Sequence, residues 1–161
     1  IWESANAVSS LSSCNEVAIN GVNTPMGRYP NTGYLTYESS IGNTSLTSSS
    51  LSGSTNWTGA EAVIKKDRFI IDRNSITAQS GGTITYSGGG YIGKNYFGFF
   101  IQNDSRTLDQ QNEWYYNPST KKIRVYSSST PVGGSKCSRS WNKTTCGAAA
   151  ERRPSLSVRS T

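Results

Sequence analysis

Short runs of β-branched and aromatic residues alternate with polar ones and are cut by Gly, Asn or Pro, and no stretch of the body keeps apolar residues at helical period over three turns. An amphipathic helix would therefore have no stripe to bury, while strands of four to eight residues have a face each. The densest region runs from Glu61 to Gln102. There Val63-Ile64, Phe69-Ile70-Ile71, Ile76 to Ala78, Ile84 to Tyr86, Tyr91-Ile92 and Phe97 to Ile101 are divided by Asp67, Asn74, Gly81-Gly82 and Gly88-Gly89-Gly90. Five or six strands at this spacing predict a small barrel or sandwich over 57–101.

Around that region the pattern predicts smaller pieces. Val17 and Ile19 alternate before an Asn20-Gly21 turn, and Tyr34, Leu35 and Tyr37 follow a Pro30-Asn31-Thr32-Gly33 turn. Residues 41–58 are nearly all Ser, Thr, Gly and Asn around Leu46 and Leu51, which predicts a surface excursion. The clearest hairpin is 113–126, turning at Asn117-Pro118-Ser119-Thr120. Ile123 and Val125 should point one way, Lys122, Arg124 and Tyr126 the other, with Trp114 packed inside.

Only 34% of the 161 residues are hydrophobic, and the balance is taken by turn-forming residues including 16 Gly, which excludes a thick helical core. The net charge of +6 points towards nucleic acid until it is located. Beyond Pro131 stand Lys136, Arg139, Lys143, Arg152, Arg153 and Arg159 against Glu151, a net +5, so the body is almost neutral. With no nucleic-acid-binding motif beside it, the charge belongs to a solvated tail, and no nucleic-acid partner is expected. Residues 131–161 read as a basic, low-complexity tail that is disordered or non-native, after an all-β domain over 1–130.

Histidine is absent, which removes Ser-His and Cys-His nucleophiles and the common zinc sites. Cys14, Cys137 and Cys146 show no CxxC spacing, so no metal and no cofactor are expected; a Cys137–Cys146 pair would leave Cys14 free. No apolar run is long enough to span a bilayer, and Ile1 opens no leader pattern, so the chain reads as mature or as a fragment, with no membrane partner.

Two segments carry a family resemblance. Asn20-Gly21-Val-Asn-Thr-Pro-Met-Gly-Arg28-Tyr29-Pro30-Asn31 resembles the N-G-x(n)-A-R-[YW]-P-N segment near the start of many secreted bacterial right-handed parallel β-helix proteins. Leu108-Asp109-Gln-Gln-Asn-Glu113-Trp114-Tyr115-Tyr116-Asn117-Pro118 is similar to their L-D-x-P-G-E-W-Y-x-D/N segment, with Gln111-Asn112 in place of Pro-Gly. The resemblance spans roughly residues 1–127 and implies a β-barrel or sandwich inserted among β-helix-like strands. It also implies an extracellular or cell-surface host that processes or adheres to polysaccharide. Active sites in that family lie on later coils, which this chain lacks, so no catalytic residue is carried over.

Asp104, Asp109 and Glu113 are the candidate carboxylates for glycoside hydrolysis, which needs two such groups flanking one bond. Turn and cap roles explain all three without a substrate: Asp104-Ser105 starts a single helical turn and Glu113 opens a strand. For sugar stacking the candidates are Tyr91, Tyr96 and Trp57, drawn from a wider aromatic supply. Gly88 to Gly93 lacks the helix and lysine of a phosphate loop and reads as a flexible hairpin connection. The sequence thus predicts a non-catalytic structural or carbohydrate-binding module, against the alternative of a glycoside hydrolase or polysaccharide lyase fragment. A solenoid piece would also expose an edge, so self-association through the Lys122 to Tyr126 strand is expected.

Overall fold

The computed structural model describes residues 1–7 and 11–129 and, beyond them, the strands at 136–138 and 150–152. The chain is all-β. Its elements separate into two compact units, one formed by 1–27 with 108–161 and the other by the continuous stretch 28–107.

The first unit opens with β1 (Trp2–Ser4), β2 (Glu16–Ile19) and β3 (Val22–Thr24). Asn20 and Gly21 both take positive φ, 53° and 80°, as a two-residue turn matching strand twist requires, and Ile19 faces Val22 across it.

The second unit contains β4 (Arg28–Tyr29), β5 (Leu35–Thr36), β6 (Ser39–Ile41), β7 (Ser45–Thr47), β8 (Glu61–Asp67), β9 (Ile70–Ser80), β10 (Thr83–Tyr86) and β11 (Gly98–Gln102). The order is β4-β11-β8-β9-β10-β7-β6, with β5 also on β11, and every ladder is antiparallel. Thr36 pairs with Gly98 on β11, and three residues on Ser39 pairs with Thr47 on β7. Between them the Tyr37 amide donates to Phe97 O (3.2 Å) and the Glu38 amide to Thr47 O (2.9 Å). Residues 35–41 thus bridge the two ends of the strand order, and the sheet closes on itself as a small barrel, which removes most free edges.

Alternation fills the interior. Ala62 and Ile64 of β8, Ile76 of β9, Ile84 and Tyr86 of β10, and Phe99 and Ile101 of β11 all point inward and are buried. Each of the larger side chains in this set contributes on the order of 1.5–3 kcal/mol of burial, and Ala62 less. The stretch expected to be a surface excursion supplies core as well. Leu46 on β7 and Leu51 in the 3₁₀ turn Ser49–Leu51 are fully buried, because one inward residue per short strand suffices in a tightly curled sheet. Two further expectations change. Ile70 to Ala78 forms no pair of strands but part of the single eleven-residue β9, with Phe69 in the turn before it, and Tyr91-Ile92 is not a strand.

The chain then returns to the first unit through β12 (Trp114–Asn117) and β13 (Lys122–Val125), with β14 (Lys136–Ser138) and β15 (Ala150–Arg152) beyond. Its sheets are β12-β13-β1-β15 and β14-β2-β3. The predicted hairpin is present: Trp114 faces Val125, Tyr116 faces Ile123, and all four are buried with Leu11, Cys14, Val17 and Ile19. Asn117 Oδ1 accepts from the amides of Ser119 (2.9 Å) and Thr120 (3.2 Å), which fixes the turn. Trp114 Nε1 donates to Thr24 O (2.9 Å) and the Tyr116 hydroxyl to Leu11 O (2.7 Å), so both polar tips are satisfied in the core.

Ladders here are antiparallel too, and among the described residues the one parallel contact is the isolated Met26–Trp114 bridge. Residues 122–125 are no edge: β13 pairs with β12 on one side and β1 on the other, so its backbone groups are already used. Cys14 is disulfide-bonded, which overturns the pairing that left it free. Of the tail, the strands β14 and β15 pair with β2 and β1; the rest of 131–161, and with it the expectation of disorder, lies outside the described residues.

Candidate functional site

The outer face of the barrel is where apolar surface remains uncovered. On β11 the inward set is Phe99 and Ile101, which leaves Gly98, Phe100 and Gln102 facing out. Register extends that outward set across four strands: Phe100 lies opposite Val63, Val63 opposite Arg73, and Lys65 opposite Ile71. On the other side of β11, Gly98 lies opposite Thr36 and Gln102 opposite Arg28.

These rows form a groove of about 400 Å³. Val63 and Gly98 line it, with Tyr34 against Phe100 and Lys65 beside Phe97, and Tyr96 lines it too. Tyr34 is 67% exposed and Tyr96 77%, so two broad ring faces are offered to solvent. Tyr34 and Phe100 rings lie 6.0 Å apart, tilted by 55°. Gly98 is what lets Tyr34 lie down: a Cβ there would meet Tyr34 Cβ at 2.9 Å. Tyr96 holds φ at 67°, a left-handed conformation costly for a bulky residue, and its amide donates to Tyr37 O (2.8 Å).

Cations sit against the rings. The Arg28 guanidinium lies 3.8 Å from the Phe100 centroid and 5.6 Å from that of Tyr34, and the Lys65 ammonium lies 5.6 Å from Phe97. Arg28 is fixed there by Nε donating to Pro30 O (3.0 Å) and Nη2 donating to Gly33 O.

The loop that delivers Tyr96 is pinned, contrary to the flexible connection expected of Gly88 to Gly93. Lys66, wholly buried at the end of β8, donates from Nζ to Tyr91 O (2.9 Å) and lies 3.3 Å from Asp72 Oδ2. Asn43 Nδ2 donates to Gly89 O, Ser40 Oγ to Gly93 O (2.6 Å), and Lys94 Nζ reaches Asp67 at 2.7 Å. That ammonium, with the Arg68 amide, holds the Asp67 carboxyl below its ordinary range. Gly89 is needed because a Cβ would stand 2.3 Å from Asp72 Oδ2.

The expected site residues separate. Tyr96 lines the groove; Tyr91 is exposed but does not line it. Trp57 is no ligand platform: it is 4% exposed, stacked on Tyr29 at 5.2 Å with Arg106 5.6 Å from its ring, and belongs to the barrel core. Phe97, from the wider aromatic supply, lines the groove, and so do Tyr34 and Phe100, which the pattern does not mark. The carboxylates fall in different units, Asp104 in the barrel and Asp109 and Glu113 outside it. Asp104 Oδ1 accepts from the amide and Nε of Arg106, both at 2.8 Å, at the 3₁₀ turn Ser105–Thr107. Glu113 is buried, and its Oε2 accepts from the amides of Asp109 and Gln110, both at 2.9 Å. Asp104 takes the cap role read from the sequence, whereas Asp109 lies beyond the 3₁₀ turn and Glu113, instead of opening the strand, precedes β12 and holds the 109–110 amides. Among the described residues no three His, Cys, Asp or Glu side chains converge as metal ligands, and no helix is long and apolar enough to cross a membrane. No protein-family model, curated protein or solved structure matches the chain.

Proposed function

We propose that this chain is a non-catalytic carbohydrate-binding β-module, and that the groove of Tyr34, Tyr96, Phe97 and Phe100 is its binding face. The observation that carries the reading is the pair of exposed tyrosine faces held over an apolar floor. A pyranose ring presents C–H groups on its faces and hydroxyls at its rim, so it suits aromatic planes edged by hydrogen-bonding groups. The disulfide at Cys14 supports an oxidising compartment, hence an extracellular or cell-surface setting. The two sequence segments support a polysaccharide-associated β-helix host. The continuous barrel at 28–107, set between them, is in keeping with an inserted module.

Affinity electrophoresis over neutral and acidic polysaccharides tests the reading, with Tyr34→Ala and Tyr96→Ala beside the parent chain. Retardation that both changes abolish supports it; no retardation on any polysaccharide refutes it. The enzyme alternative is tested in the same samples by release of reducing ends or unsaturated products. Sustained release that Asp109→Asn with Glu113→Gln abolishes would replace the binding module with a catalytic fragment.

A further inference from the structure

Resting on the binding-module reading, we propose that the groove selects polysaccharide bearing carboxylates, a uronic-acid chain, over neutral glycan. The apolar centre is framed by one sign of charge. Arg28 stands at the β4 side over Phe100, Lys65 beside Phe97, and Arg73 is the cross-strand neighbour of Val63 on β9. Among the described residues none of these three cations is in an ion pair. The one carboxylate in the same outward rows is Glu61, opposite Gln102, and its Oε1 accepts from Gln102 Nε2. Cations therefore outnumber anions by three to one on the face, although the body of the chain is nearly neutral.

Arg28 is the best placed of the three. Two of its five N–H donors are held by Pro30 O and Gly33 O, so its plane is set before any ligand arrives. The guanidinium lies over the Phe100 face and 5.6 Å from the Tyr34 centroid, so its remaining donors are within reach of a carboxylate on a sugar stacked against Tyr34. Arg28 on β4 and Arg73 on β9 have β11 and β8 between them, three strand spacings or about 14 Å across the sheet. That span engages successive sugars, and only a chain with repeated carboxylates satisfies both ends.

The test is isothermal titration of the full chain with a short oligogalacturonate, with the same oligomer after reduction of its carboxyls to alcohols, and with poly-L-glutamate. The oligogalacturonate should bind about tenfold more tightly than its reduced counterpart, as several exposed ion pairs together imply. Raising the ionic strength from about 0.05 to about 0.5 M, which shortens screening from about 14 to about 4 Å, should remove most of that difference. Lys65→Gln and Arg73→Gln, both exposed, should each weaken the acidic oligomer about threefold, and Arg73→Gln, which lies outside the groove lining, should leave the reduced one unchanged. Equal binding of the two oligomers would overturn the selectivity while leaving the binding module intact. Binding of poly-L-glutamate as tight as that of oligogalacturonate would show a surface that reads charge alone and would also overturn it. Failure of both oligomers and of every neutral glycan would remove the binding-module reading and this inference together.

Discussion

The ammonium of Lys66, with no exposed surface, lies 3.3 Å from the Asp72 carboxylate, which keeps about a quarter of its own surface in water. The two ends of this pair are unequal. Removing Asp72 strands a buried cation with only the Asn43 and Tyr91 carbonyls and the Tyr86 ring around it. Removing Lys66 leaves a carboxylate that keeps about a quarter of its surface in water, although Oδ2 itself is buried. Asp72→Ala should therefore cost about 3 kcal/mol and Lys66→Met clearly less. Chemical denaturation of the two variants and the double mutant checks the order, and a Lys66→Met protein weaker than Asp72→Ala would contradict it.

Alkaline stability follows from two buried phenols. Burial pushes the Tyr37 hydroxyl up to about 12, with Tyr86 and Asp67 adding to the rise. Burial does the same for Tyr86, with Asp72 adding, again to about 12. Both folded values lie above the unfolded value near 10, so the unfolded chain ionises first and gains. The contribution is whole below pH 10 and is lost as pH rises towards 12, each phenol being worth ~3 kcal/mol over that window. Melting midpoints across pH 9 to 12 should fall steeply (roughly in that window), and Tyr37→Phe should flatten the fall. An unchanged slope in that variant would reject the assignment.

Two tryptophans should behave as core and not as ligand contacts. Trp114→Ala should lower stability by about 3–5 kcal/mol, the range for deleting a buried aromatic, and Trp57→Ala by a similar amount. Trp57→Phe, which keeps a ring against Tyr29, should bind polysaccharide as the parent does. Loss of retardation in a folded Trp57→Phe protein would return that residue to the binding face.

Gly98→Val should close the groove without unfolding the barrel. Valine suits a strand, and its Cβ would press on Tyr34 at 2.9 Å and lift that ring from Phe100. The expected result is a melting midpoint within about 5 °C of the parent and loss of retardation in affinity gels. Undiminished binding would place the ligand elsewhere.

The strands were legible because their alternation is local: Val17 with Ile19, Ile123 with Val125, and the Asn20-Gly21 turn each state their structure within a few residues. What escaped reading depended on distant partners. Leu46 and Leu51 sit in a run of Ser and Thr that looks like solvent-facing loop, and they are core only because β7 lies against β10. Trp57 is buried by Tyr29 and Arg106, far from it in sequence. The groove did leave a signal, though a weak one. Ala62 to Ile64 and Gly98 to Ile101 are apolar on both alternating sets, and a barrel strand has only one inward face. Phe100 and Val63 therefore had to face out together, and Tyr34 could be found only from the closeness of Gly98.

Arg28 at the start of the barrel and Gln102 near its end stand opposite each other on neighbouring strands. Chain enters and leaves this unit side by side, so the polypeptide around it need only spare a gap the width of one strand pair, about 5 Å. Such a cassette can be lifted out and joined end to end by a short linker, given new termini at the Gly81-Gly82 turn, or spliced into a loop of an unrelated host, and still carry its outer groove with it.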